Sequence, residues 1–313
     1  MGQDNQTSLR EFVLLGFSRD RGTNVFLFVV VLCMYLFTLA GNTLITVAIR
    51  VDTRLNTPMY FFLNNLSVLD ICYTTSVVPQ LLVHFLTNQK NISFTRCIAQ
   101  LSIALFFGSI EYVLLAFMAY DRYVAVCHPL HYKTIMNRRV CIQMMMASWI
   151  SGFINAAVHT AFTMHLHFCR YNIINHFVCE LLAVINLACS DTFVNDIGLM
   201  VSGVFVLFIP CTLIMLSYVY IISAILRIRS AEGRHRAFST CTSHLTVVTL
   251  CYGTAMFAYM TPKAKTSPNR DKVLSFLYAV VTPMLNPLIY SLRNKEVKAA
   301  LTKVVQRKKI VLE

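Results

Sequence analysis

Charged residues are nearly absent from long stretches of this chain. Val25–Ile49 runs for 25 residues without a charge. Six further apolar runs follow, at about Pro58–His84, Cys97–Tyr120, Val140–Met164, Ile197–Leu226, Ala237–Met260 and Val273–Leu292. A helix rises ~1.5 Å per residue, so each run crosses a hydrocarbon core ~30 Å thick. The pattern predicts an all-α membrane protein, a bundle of seven transmembrane helices. Seven is odd, so the two ends of the chain face opposite sides. Three segments result: an N-terminal segment 1–24, a bundle 25–292 and a tail 293–313.

Composition sharpens this picture. Hydrophobic residues make up 57% of the 313 and charged residues only 13%. A soluble domain carries about 25% charge. An ordinary soluble enzyme, a disordered chain and a small disulfide-framework domain are therefore excluded. There is no repeat of the length that builds solenoids and no Gly/Ser linker, so one domain with short connections is expected.

The Lys/Arg bias of the loops gives the orientation. With the N-terminus outside, the inner segments hold Arg50 and Arg54, then Arg122, Lys133, Arg138 and Arg139, then Arg227, Arg229, Arg234 and Arg236, and seven more from Arg293 to Lys309. That is 17 of 27 inside, against 10 outside. The third outer loop, with Lys263, Lys265, Arg270 and Lys272, runs against the bias. The net charge of +13 needs no nucleic acid, because a basic inner face beside anionic lipid accounts for most of it. Residues 1–24 carry six charges and no apolar core, so no cleavable signal is expected, and the first span serves as its own targeting signal. Plasma-membrane insertion with an extracellular N-terminus follows. Asn5 and Asn91 head glycosylation sequons on the outer side, whereas Asn65 heads one inside the second span, where it stays unmodified.

Cysteine divides by compartment. Cys97, Cys169, Cys179 and Cys189 fall on the outer, oxidising side, and the other seven sit in spans or at the inner face. Four cysteines allow three pairings, and the spacing leaves all three open. The second outer loop, about 165–196, is long enough to fold back over the bundle. His176-Phe177-Val178-Cys179-Glu180 has the residue types of a copper site. Cys179 is better explained as a disulfide partner, which removes its thiolate. His159, His165, His167 and His176 gather near the outer face without metal-ligand spacing or a nucleophile–base pair.

Asp70 and Glu111 are the only acids within the spans. Asp70 stands 12 residues into the second run, ~18 Å deep, and Glu111 is likewise near mid-membrane. Ionisable groups at that depth face the bundle interior and mark function. No Lys or Arg is present there to neutralise them, so a cation, a proton or hydrogen-bond donors must. At the inner end of the third run, Asp121 and Arg122 form an acid–base pair that can close in one state and open in another. Pro287 stands inside the seventh run, where a proline removes a backbone bond and bends the helix. From Arg293 to Val304 basic and apolar residues alternate, as suits a helix lying on the inner leaflet.

Six sequence blocks occur in order. They are Gly41-Asn42, Leu55-Asn56-Thr57-Pro58-Met59-Tyr60, Met118 to Tyr132, Ser217-Tyr218, Arg236 to His244, and Pro283 to Asn294. On these blocks the chain resembles the rhodopsin-like G-protein-coupled receptors, and among them the olfactory receptors of the tetrapod-type class. The resemblance covers nearly the whole length, with small departures at Asn56 and Arg236.

The resemblance implies a receptor without catalytic chemistry. It would bind a small volatile odorant and activate a heterotrimeric stimulatory G protein, raising cyclic AMP. It implies the disulfides Cys97–Cys179 and Cys169–Cys189. It implies an activation switch of Asp121, Arg122, Tyr123, Tyr218, His244, Asn286, Pro287 and Tyr290, and a sodium ion at Asp70 and Glu111. No other cofactor is expected. By family position, the ligand contacts are Ala104, Leu105, Gly108, Ser109, Tyr112, Ser202, Gly203, Val206, Tyr252, Ala255, Met256 and Tyr259. Ala104 stands where amine receptors carry an acid. A neutral, largely apolar ligand is therefore expected, held by burial and one or two hydrogen bonds to hydroxyls at Ser109, Ser202 and Tyr259. A transporter would show inverted repeats or broken helix pairs, and the sequence has neither.

Overall fold

The computed structural model describes residues 11–18, 20–87, 90–169, 172–227, 230–260, 267–293, 297, 299–300 and 302. Asn5, Arg229, Lys263, Lys265 and most of the 293–313 segment lie outside them.

The first span is the helix Arg21–Val51. Asp20 caps it, accepting from the Thr23 backbone N–H at 2.7 Å and the Thr23 hydroxyl at 2.8 Å. Those two bonds hold the Asp20 carboxyl below its ordinary value. Asp52 ends the helix and caps the short turn Thr53–Leu55. The second span, Pro58–Leu86, opens with proline in its first turn, where the lost N–H costs nothing. The third, Phe94–Cys127, has 34 residues and is ~51 Å long. It overshoots the membrane core and packs against the second, fourth, fifth and sixth spans. The fourth is Arg138–Met164, capped by Asn137.

The fifth span, Phe193–Leu226, is interrupted by a π-helical turn at Val204–Phe208. The sixth is Ala231–Met260. The seventh runs from Pro268 to Arg293, with a second π-helical turn at Leu277–Val281. Six of the seven are long and apolar enough to cross a membrane by length and composition alone. The sixth is more polar, because it carries Thr242, Ser243, His244, Thr246 and Thr254. Thr242, Thr246 and Thr254 donate to carbonyls one turn back, which makes a hydroxyl tolerable at membrane depth.

Apolar side chains cover the outside of the bundle, including Phe26, Leu36, Phe153, Phe205, Met215 and Val219. Asn42, Asp70, Thr74, Ser109, Glu111 and Asn286 are buried inside. This inversion is what a lipid solvent demands. Close helix approach depends on small residues. A Cβ on Gly41 would lie 2.9 Å from Pro287 Cγ, so glycine is required where the first and seventh spans meet. Asn42 then donates to the Pro283 carbonyl at 3.2 Å across the same seam.

A three-stranded sheet covers the outer end, and the hydropathy pattern does not show it. β1 (Glu11–Leu14) lies between β2 (Asn91–Ser93), antiparallel to it, and β3 (Ile173–Ile174), parallel to it. Phe12 and Leu14 are almost fully buried, in a cluster with Ile92, Leu101, Ile174 and Val184. Strands of two to four residues are too short to display alternation, and their pairing joins three distant segments. At the inner end, the described part of the tail includes Val297 and Ala300, which pack into the main core.

Candidate functional site

The cavity in the outer half of the bundle has a volume of about 570 Å³. Its roof is the second outer loop. The Cys97–Cys179 disulfide ties that loop to the head of the third span, and Cys169–Cys189 closes the loop on itself. These are the pairings the resemblance implies. The Cys179 backbone N–H also donates to Gln100 Oε1 at 3.1 Å. Val178, Cys179, Glu180, Leu181 and Leu182 line the cavity from above, and the short helix Leu181–Ile185 follows.

Of the twelve expected ligand contacts, nine line the cavity: Ala104, Leu105, Gly108, Ser109, Tyr112, Ser202, Gly203, Val206 and Tyr259. Gly108 and Gly203 would meet nothing within 4 Å if given a Cβ, so their smallness leaves the space open. Three expected contacts do not line it. Tyr252 turns into the core, donating its hydroxyl to the Tyr112 carbonyl at 2.6 Å, with the two rings 5.2 Å apart. Ala255 is fully buried in the same core, and Met256 packs against it. The rotation of the sixth span presents Cys251, Ala258 and Tyr259 to the cavity instead.

The walls include residues that were not among the expected ligand contacts. Asn155 and His159, one turn apart on the fourth span, line the cavity and hold its hydroxyls. Asn155 Nδ2 donates to Ser109 Oγ at 2.8 Å, while Ser109 donates to the Leu105 carbonyl at 2.6 Å. His159 Nε2 stands 2.8 Å from Ser202 Oγ. Two of the three hydroxyls expected to meet a ligand are thus engaged already. The i, i+4 spacing of Asn155 and His159 in an apolar run was the signal available. Both π-helical turns border the cavity, contributing Val206 and Tyr278, and such turns recur at functional sites.

Carboxylates reach the cavity from positions other than the third-span one. Ala104 does occupy the third-span position, but Glu180, Glu111, Asp196 and Asp271 all reach the lining. Asp271 pairs with Arg270 at 3.2 Å, and Asp196 accepts from Thr192 at 3.3 Å. Glu180 accepts from Ser275 at 2.6 Å and Tyr278 at 3.2 Å, and its Oε2 lies 3.0 Å from His176 Nε2. Burial alone would raise the Glu180 carboxyl; His176, Ser275 and Tyr278 outweigh it and hold the group below its ordinary value. With Cys179 in a disulfide and His176 against Glu180, the copper-like segment offers no thiolate. Among the described residues no group of three or more His, Cys, Asp and Glu is arranged to hold a metal.

Beneath the cavity lie the two mid-membrane acids. Asp70 is 1% exposed and accepts both its bonds from Asn286 Nδ2, at 3.1 and 3.0 Å. Glu111 is 8% exposed. Glu111 Oε1 and Asn286 Oδ1 are buried oxygens without a hydrogen-bond partner. An unpartnered pair of oxygens beside a second carboxylate is the donor set a hard cation takes.

The residues expected to form an activation switch lie at the inner end, without a closed Asp121–Arg122 pair. No ion pair joins Arg122 to Asp121 among the described residues. Asp121 Oδ1 instead accepts from the Tyr132 hydroxyl at 2.8 Å. Burial first, and then the Asp121 carboxylate, push that hydroxyl above its ordinary value. Arg122 is buried, and its Nε has no partner. Tyr218 and His244 stack with rings 5.9 Å apart and bond at 2.8 Å, and His244 Nε2 reaches the Leu115 carbonyl at 3.1 Å. Tyr123 bonds His128 at 3.2 Å. Tyr290 is buried with its hydroxyl unpaired, one turn beyond Pro287.

Asn91, the second sequon, lies exposed on β2, with its Nδ2 donating to Glu11 at 3.2 Å.

Comparison with known proteins agrees with this geometry. The family model described as olfactory receptor matches residues 31–308. The human protein named olfactory receptor 2F1 is 56% identical over 305 residues, covering 97% of this chain and 96% of that protein. The dog olfactory receptor-like protein OLF3 is 54% identical with the same coverage. Human olfactory receptor 2G3 is 50% identical over 98% of this chain and all of that protein. A seven-helix bundle with a roofed cavity, matched at this identity over this length, is a multi-pass membrane receptor rather than an enzyme, and the chain belongs to the olfactory receptor family.

Proposed function

We propose that this receptor binds small, neutral, mostly apolar odorants in the outer cavity and activates a stimulatory G protein, raising cyclic AMP. The observation that carries the reading is the cavity itself: 570 Å³, roofed by a disulfide-tied loop, and reaching down to Glu111. An apolar ligand gains ~25 cal/mol per Å² of buried surface, so a molecule with few polar contacts binds in the micromolar range. Ligand favours one of two arrangements of the inner ends, in which the sixth span moves outward and Arg122 meets the G protein. The receptor sits in the plasma membrane with its N-terminus outside, in line with the Lys/Arg bias, and its basic 293–313 tail meets inner-leaflet lipid. Asn5 and Asn91 are its glycan sites. An odorant panel read by cyclic AMP in transfected cells tests the reading. Dose-dependent responses are expected, and ligand responses carried by ion flux instead would overturn it.

Asp70 and Glu111, with the Asn286 amide oxygen, suit a sodium ion. When bound, it supplies the positive charge that two carboxylates in a low-dielectric bundle lack. Sodium and agonist then oppose each other reciprocally. The check compares agonist potency and receptor melting temperature in sodium and in a bulky organic cation, for wild type and Glu111→Gln. Identical values throughout would replace the ion with protonated, hydrogen-bonded carboxyls.

A further inference from the structure

Two residues that line the outer cavity are also exposed on the outside of the bundle. Met200 keeps 73% of its surface and Phe208 keeps 41%. A side chain that both lines a cavity and faces outward stands at a mouth. The depth of that mouth decides what enters. The fifth span has 34 residues and is ~51 Å long. A ~30 Å hydrocarbon core centred on it begins ~10 Å below its outer end. Met200 lies seven residues beyond Phe193, ~10 Å down, and Phe208 lies fifteen, ~22 Å down. At that depth the mouth meets the outer leaflet, not water.

Its side of the span follows from the neighbours. Gly198 and Ser202, one turn apart, face the fourth span. A Cβ on Gly198 would lie 3.1 Å from Phe162, and Ser202 Oγ is 2.8 Å from His159 Nε2. Met200 is two residues from each, ~200° round the helix, on the opposite edge. That edge adjoins the sixth span, which the fifth meets lower down through the Tyr218–His244 bond at 2.8 Å. The π-helical turn Val204–Phe208 shapes the gap: Gly203 directly precedes it, Phe208 ends it, and both line the cavity. A Cβ on Gly203 would meet nothing within 4 Å, so nothing among the described residues fills the space beside it. The cavity also has a polar edge near the outer helix ends, lined by Asn186, Asp196 and Asp271.

We propose that the gap between the fifth and sixth spans at Met200, Gly203 and Phe208 is a lateral mouth, through which neutral apolar ligands dissolved in the outer leaflet enter the cavity. This rests on the outer cavity being the odorant site and adds the phase from which the odorant is taken. Each methylene raises transfer from water into an apolar phase about fourfold, so the bilayer gathers such molecules beside the mouth. An ionised molecule has no such path, because a bare charge is costly in hydrocarbon. A route sets rates and not equilibrium affinity, so the test measures rates.

The test uses full-length receptor in lipid nanodiscs, with a reporter thiol placed in the cavity lining by Ala104→Cys. Alkylation is followed over time by peptide mapping. Cys33, exposed on the first span, reports the arrival of reagent in the bilayer. The probes are N-hexylmaleimide, which dissolves in lipid, and a sulfonated maleimide, which stays in water. Met200→Trp narrows the mouth. It is expected to slow hexyl labelling of the reporter about tenfold, as one close steric contact does, with Cys33 unchanged. Phe208→Ala widens the mouth and is expected to speed the same labelling. The sulfonated reagent is expected to reach the reporter at a rate that neither variant alters. General damage to the bundle would not move the two variants in opposite directions.

Hexyl labelling unchanged by Met200→Trp overturns the lateral mouth, and so does Phe208→Ala without a gain. Equal slowing of both reagents by Met200→Trp overturns it, as does a reporter that stays unlabelled while Cys33 reacts. Any of these, beside a normal cyclic AMP response to an odorant panel, leaves the odorant-receptor reading standing. Silence to every odorant at normal surface level, with the expected labelling pattern intact, refutes that reading and keeps the mouth.

Discussion

At the outer end of the bundle, two disulfides, a three-stranded sheet and a four-membered cluster around Glu180 fix the roof to the third and seventh spans. At the inner end no covalent tie is present among the described residues. Arg122 has an unpaired Nε, Tyr290 has an unpaired hydroxyl, and Asp121 is held by one bond from Tyr132. The two ends are built for different tasks. A preorganised cavity loses little ordering free energy when a small ligand binds. Under the proposed function the inner end acts as a switch, which needs two arrangements close in energy; unsatisfied buried polar groups suit that, since each costs about 1–3 kcal/mol and is relieved by a new partner.

The largest expected effect tests the inner end. Arg122→Ala should abolish cyclic AMP signalling while leaving the receptor at the cell surface. A full response from a well-expressed mutant would remove Arg122 from the switch. At the outer end, Cys97→Ser or Cys179→Ser should cost ~4–5 kcal/mol and lose both surface expression and response, because the bond closes an 82-residue separation. Cys169→Ser, across a separation of 20, should cost only ~3 kcal/mol and leave part of the surface pool. Flow cytometry that ranks the two the other way would break the view of the roof as tied chiefly to the third span.

Smaller effects sharpen the boundary between the halves. Gly41→Ala drives a methyl to 2.9 Å from Pro287, so it should lower the melting temperature by the equivalent of ~1–3 kcal/mol. It should also shift basal activity, because Pro287 lies in the span that carries Tyr290. An unchanged melting curve would mean that the seam yields freely. Tyr132→Phe removes the donor to Asp121 and should change basal cyclic AMP by about the equivalent of 1 kcal/mol, with odorant potency altered in the same direction. A basal level identical to wild type would show that Asp121 does not need that bond.

Some of the site was readable in the chain and some was not. Asp70, Glu111 and Arg122 stood out because a charge in or beside an apolar run is conspicuous. The six ordered blocks carried the family, and with it the disulfide partners that spacing alone left open. That Tyr252, Ala255 and Met256 do not line the cavity was not legible, because a helix's register in sequence does not fix its rotation about its own axis. Glu180 stood out only as part of a copper-like segment, although the neighbouring Cys179 was a clue that the disulfide would bring it inward. Asn155 was hidden among ordinary packing residues of the fourth span, and His159 was visible only as one of several outer-face histidines.

The sequence by itself determined seven membrane spans and the buried acids. Hydrophobic transfer acts residue by residue along the chain, and so it is written there. The tertiary structure alone decided which faces meet. It put nine expected residues around one cavity and turned three into the core, paired three short strands from distant segments, and set Glu180 in the roof, hydrogen-bonded to Ser275 and Tyr278. Those outcomes depend on helix rotation, on two π-helical turns and on contacts between residues up to 241 positions apart, such as Asn42 with Pro283. They arise from packing in three dimensions, which no local pattern of polar and apolar positions encodes.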